Sequence, residues 1–72
     1  MSFDPQNIPD SLRELRQKLG LSQRKFARRY RISFRTLCNW EQNIRKPDAA
    51  AISYLIVIDT IPEEVASALW SQ

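Results

Sequence analysis

Arg35 and Asn39 stand four residues apart, a spacing that puts both on one side of a helix. Arginine forms bidentate hydrogen bonds with guanine edges, and asparagine does so with adenine. With Leu37 and Trp40 turned inward, the opposite side of such a helix holds Arg35, Cys38, Asn39 and Gln42, with Phe34 on its flank. Those side chains suit the reading of double-stranded DNA. They equally suit a solvated helix face, so their meaning depends on the charge around them and on the elements that hold them. Phe34 fits either against thymine methyl groups or folded back over a core. Cys38 is either a small side chain facing a groove or an inert surface thiol.

The charge is sharply divided. All eleven Lys and Arg residues fall within residues 11–46, against only Glu14 and Glu41, a net +9. The flanks hold the other six carboxylates and no base, a net −6, which leaves the chain at +3. A compact basic segment of this kind implies a polyanionic partner, with nucleic acid ahead of a membrane surface. Other chemistries fail on inventory. There is no histidine for an ordinary catalytic triad, and one glycine cannot build a phosphate-cradling loop. A lone thiol, Cys38, makes neither a disulfide nor a zinc site. No enzyme, metal or cofactor is expected. No apolar run approaches the roughly 20 residues that span a bilayer. The opening MSFDPQNIPD lacks the basic start and apolar centre of a secretion signal. A soluble cytoplasmic protein without a membrane partner is the expectation.

Seventy-two residues make one small domain. Such a chain buries only about 60% of the surface its unfolded form exposes. Helical signals recur along it, and strict apolar alternation does not occur. Leu12, Leu15 and Leu19 trace a first helix from Pro9 and Asp10 to a stop at Gly20. Ser22 caps a second helix reaching about Tyr30, with Phe26, Ala27 and Tyr30 inward and Arg24, Lys25, Arg28 and Arg29 outward. After only Arg31 and Ile32, Ser33 caps a third helix from Phe34 to about Gln42. Asn43 to Pro47 is a basic loop. Asp48 caps a fourth helix to about Asp59, and Pro62 opens a fifth. Two helices joined by so short a turn cannot lie antiparallel, and the outer face of the second is pushed into solvent. The start of helix two then meets the DNA backbone, so Arg24 or Arg28 contacts phosphate.

The stretch LSQRKFARRYRISFRTLCNWEQNIRKP, residues 21–47, resembles the XRE-type helix-turn-helix family, the phage repressor and Cro class. The likeness rests on the LSQ start, the Phe26–Ala27 pair, Ile32–Ser33, and NWEQ before a basic loop and proline. It extends over roughly residues 8–70. Trp40 and Glu41 followed by RKP are similar to small antitoxins of HigA type. The resemblance implies an all-α, five-helix, lambda-repressor-like domain over 8–72 after an N-terminal arm at 1–7, with the helix-turn-helix at helices two and three. It implies base contacts from Phe34, Arg35 and Asn39. It implies phosphate contacts from Gln23, which also braces the reading helix, and from Asn43, Arg45 and Lys46. It sets Ser33 against a base or phosphate, and Gln42 is counted with the phosphate contacts. The family usually has glycine at Arg31 and often at Asn43. Both positions are therefore expected at positive φ, at a cost of roughly 1 kcal/mol or more for a non-glycine residue.

Arg16 lies on the apolar side of helix one, and a buried guanidinium needs a carboxylate. Within the basic segment Glu14 points away, which leaves Glu41. The expectation is a structural Arg16–Glu41 ion pair, and the resemblance implies the same pair. Helix four is apolar nearly all round, with Ile52, Leu55 and Ile56 on one face and Tyr54, Val57 and Ile58 on another. A helix with two apolar faces must bury both. That predicts a homodimer through Tyr54, Val57, Ile58 and Trp70, with two reading helices about 34 Å apart on an inverted repeat. The function that follows is a transcriptional repressor on a palindromic operator. The alternative is an antitoxin that neutralises a cognate toxin and represses its own operon.

Overall fold

The computed structural model describes residues 3–71. They form α1 (Ile8–Leu19), α2 (Gln23–Arg29), α3 (Phe34–Glu41), α4 (Ala49–Thr60) and α5 (Pro62–Trp70), with no strand among the described residues. Met1 and Ser2 of the expected arm, and Gln72, lie outside them.

Each helix begins and ends for local chemical reasons. The Ser22 and Ser33 hydroxyls and the Asp48 carboxylate accept hydrogen bonds from the amides of Lys25, Thr36 and Ala51, each satisfying an orphan donor of a first helical turn. The first three helices end alike. Gly20, Arg31 and Asn43 take φ of 69°, 56° and 59°. The next residue's amide then reaches back: Leu21 to Arg16 O, Ile32 to Ala27 O and Ile44 to Asn39 O, at 3.0, 2.8 and 2.9 Å. This is the left-handed Schellman stop, repeated at three consecutive chain reversals. Glycine occupies the first stop without strain, whereas Arg31 and Asn43 carry a Cβ through the same geometry.

The core is built from Leu12 and Leu15 of α1, Phe26, Ala27 and Tyr30 around α2, Leu37 of α3, Leu55 and Ile58 of α4, and Ala66 of α5. Trp40 is half-buried and packs against this cluster. The Phe26 and Tyr30 rings meet at 4.9 Å with a tilt of 50°, a favourable aromatic arrangement. The segment ahead of α1 is docked as well. Phe3 is buried, and its amide donates to Asp59 Oδ2 at 3.0 Å.

Helix α4 corrects the expected dimer surface. Ile58 is fully buried inside the protomer and cannot meet a second subunit. Tyr54 is half-buried, and its hydroxyl donates to Tyr30 O at 2.6 Å. Ile56 and Val57 are the exposed apolar residues instead. Because this helix is apolar on every side, its periodicity carries no direction. The inward side is set by Leu55 and Ile58, three residues apart, with Tyr54 on its shoulder.

Helix α5 clasps the turn between α2 and α3. The Tyr30 hydroxyl donates to Pro62 O at 3.1 Å, and Arg29 pairs with Glu63 at 2.8 Å. The Trp70 indole donates to Arg29 O at 2.8 Å. Arg31 donates to Leu69 O at 3.0 Å and lies over the Trp70 ring.

Candidate nucleic-acid interface

Helix α3 is set by what lies beneath it. Leu37 and Glu41 are its buried positions, four residues apart. A buried carboxylate requires compensation, and Glu41, only 2% exposed, receives it as three hydrogen bonds from two side chains. Arg16 Nε donates to Oε2 at 2.6 Å and Arg16 Nη2 to Oε1 at 2.9 Å. Gln23 Nε2 donates to Oε1 at 3.2 Å. The Arg16 guanidinium is pushed above its usual pKa, first by its hydrogen bond to Glu41, with burial opposing. It stays charged throughout the accessible pH range. Arg16 also donates to Leu21 O, and Arg13 Nη2 reaches Glu41 O. Helices α1, α2 and α3 are thus tied together at one buried carboxylate. The Arg13 contact was not anticipated. Its signal was the three-residue spacing from Arg16, which turns both guanidinia toward the end of α3.

With Leu37 and Glu41 inward, Arg35 and Gln42 are exposed and Cys38 and Asn39 are half-buried along the outer side. Phe34, at the first turn, is half-buried against the core, and the Arg24 guanidinium sits 4.2 Å from its ring centre. The ring therefore leans inward under a cation. Ser33 is exposed, and its hydroxyl serves as the cap of α3. Beyond the helix, Asn43, Ile44, Arg45 and Lys46 form an exposed loop. Ile44, at 63% exposed, is an apolar residue on this surface that the sequence reading passed over.

The ion pairs sort the cations. Arg13, Arg16, Lys18 and Arg29 pair with Asp10, Glu41, Asp59 and Glu63. Arg31 is bonded to a carbonyl of α5. Arg24, Lys25, Arg28, Arg35, Arg45 and Lys46 have no carboxylate partner among the described residues. Arg24, Arg35, Arg45 and Lys46 belong to the start of α2, the outer side of α3 and the loop after it, and together give that surface an uncompensated positive charge. Arg28 lies with Lys25 in a groove on the α5 side of α2.

A short turn, a second helix with its polar side outward, and unpaired cations on both sides of it make a DNA-binding arrangement. The sequence pattern of the helix-turn-helix family matches residues 12–53, from α1 into α4. The chain belongs to the XRE-type helix-turn-helix family. Its helix-turn-helix is α2 and α3, and the domain is a DNA-binding one. The family is generally non-enzymatic. This helix-turn-helix chain is also similar to Antitoxin HigA-2 of Vibrio cholerae serotype O1, with 34% identity over 58 residues. The match covers 81% of this chain and 56% of that protein, so the chain spans about half the length of the curated relative it matches. Helix α5 falls beyond the family pattern. Among the described residues no helix is long and apolar enough to cross a membrane.

Proposed function

We propose that the protein is a sequence-specific transcriptional repressor that binds a palindromic operator as a dimer. The observation that carries this reading is the outer side of α3, where Arg35 and Asn39 stand between unpaired cations. Arg35 and Asn39 would read base edges in the major groove, with Cys38 as a small side chain between them. Phe34 would lend its exposed edge beside Arg24. Arg24, Gln23, Ser33, Gln42, Asn43, Arg45 and Lys46 would hold the two phosphate strands and set the register. Gln23 spends one amide hydrogen on Glu41 and keeps the other for a phosphate oxygen. Dimerisation would use Val57 with Ile56 and Ile61, exposed apolar residues on α4 and its exit. This reading places the protein in the cytoplasm.

A second reading is favoured by the likeness to Antitoxin HigA-2. The chain would then neutralise a small cognate toxin and repress the operon that encodes both. Copurification with the product of an adjacent short gene distinguishes an antitoxin from a stand-alone repressor.

Footprinting over the protein's own promoter tests the common core of both readings. The expected result is a protected inverted repeat whose half-site centres lie about 10 base pairs apart. Absence of salt-dependent duplex binding at low ionic strength would overturn the assignment.

A further inference from the structure

Four of the six unpaired cations belong to the α3 surface. The other two are Lys25 and Arg28. They stand three residues apart on the outside of α2, so they share a face. With Leu21, Arg29 and Trp70 they line an open groove of about 400 Å³ between α2 and the end of α5. Arg29 is already neutralised by Glu63, whereas Lys25 and Arg28 have no carboxylate partner among the described residues. Trp70 is 53% exposed, yet it is held firmly. Its indole N–H is bonded to Arg29 O, and the Arg31 guanidinium lies 4.5 Å from its ring centre.

We propose that this groove is a docking site for an acidic protein segment bearing one large apolar side chain. Two uncompensated cations beside an apolar floor of Leu21 and Trp70 are complementary to carboxylates flanking an apolar anchor. A fixed, exposed tryptophan next to arginine is the composition in which binding energy concentrates at protein interfaces. The groove is open along its length, whereas a small organic anion needs a site that encloses most of its surface. DNA is the less suited polyanion here. Arg24 over Phe34 marks the α3 flank of α2, and Trp70 against Arg29 marks the opposite flank. Phosphates also have no use for a floor of half-buried Leu21 and exposed Trp70. The groove is therefore a second surface, open to a protein partner while α3 faces elsewhere.

The test uses the whole chain and a dye-labelled peptide of glutamates and aspartates around a single phenylalanine, followed by fluorescence anisotropy. The expected result is saturable binding that disappears when glutamine and asparagine replace the acids, and weakens when serine replaces the phenylalanine. Lys25→Glu with Arg28→Glu should abolish it. Both side chains lie outside the core, so circular dichroism should show an intact fold. Trp70→Phe, which keeps an aromatic ring at the site, should weaken binding by roughly tenfold. No binding to the wild-type chain, or equal binding to the double variant, would overturn the proposal. So would a duplex that shifts the Trp70 indole proton resonance in a Lys25- and Arg28-dependent manner, because the groove would then belong to the DNA surface.

Discussion

Glu41 is the residue on which three helices converge. Its carboxylate is buried and holds two bonds from Arg16 and one from Gln23. Glu41→Ala leaves Arg16 mostly buried with the Leu21 carbonyl but no carboxylate, a loss of about 3–5 kcal/mol. The whole stability of a domain this size is roughly 4–10 kcal/mol, so urea denaturation should find the variant close to unfolding. Arg16→Met combined with Glu41→Leu should recover most of the loss, because an apolar pair leaves no buried charge unpaired. A mild effect of Glu41→Ala would mean that water reaches the pair. On the outer side the expectation differs in kind. Arg35→Ala should cost about 1–3 kcal/mol of operator affinity and relax preference at one base pair. Lys46→Ala should weaken all duplexes alike and lower the salt slope by about one. Binding titrations on matched and mutated operators separate the two, and an unchanged base preference for Arg35→Ala would remove it from the reading set. The Arg16–Glu41 geometry was foreseeable from one buried arginine and a shortage of carboxylates. The groove that Arg28 lines was not, because its other wall is Trp70, more than forty residues away.

At the scale of elements, the helix ends follow local rules, and that is why they were legible. Ser22, Ser33, Asp48 and Gly20 act through partners within four or five residues. The inward side of α4 was illegible because every side of it is apolar, so neighbouring helices decide. The packing of Phe3 on Asp59 was hidden for a similar reason, since its partner lies 56 residues away. The two strained stops allow a comparison. Asn43→Gly should raise stability by up to about 1 kcal/mol, since it relieves a left-handed residue with no side-chain bond to lose. Arg31→Gly relieves the same strain but forfeits the bond to Leu69 O and the stack on Trp70. It should leave stability unchanged or lower it. Thermal unfolding of both variants decides; equal stabilisation would show that the α5 clasp contributes nothing. Tyr54 extends this clasp from α4. Burial raises its phenol above the ordinary tyrosine value, with Tyr30 adding to the effect. The folded state therefore favours the neutral hydroxyl that donates to Tyr30 O. The associated stability is present below about pH 10, the unfolded value, and is lost as pH rises through the higher folded one. Tyr54→Phe should forfeit about 1 kcal/mol at neutral pH and flatten the alkaline decline of the melting temperature. A decline as steep in the variant as in the parent would assign it to other groups.

For the whole molecule, the core and the exposed apolar residues bear on assembly together. A 72-residue chain has little core to spare, yet Ile56, Val57 and Ile61 remain in solvent on one side of α4 and its exit. Val57 is 42% exposed, and its side chain contributes nothing to the buried cluster. Val57→Glu should therefore leave the protomer folded while placing a charge in any surface that covers it. In a dimer on an inverted repeat, two half-sites bind as one unit, and that linkage is worth roughly 100-fold or more in affinity. Val57→Glu should sediment as a monomer, lose that factor on the full operator, and bind an isolated half-site as the parent does. Glutamate at Ile58 would instead unfold the chain, since that position is wholly inside. Should Val57→Glu remain dimeric with full operator affinity, the subunit contact lies elsewhere, and Trp70 with the α2–α5 groove becomes the surface to examine.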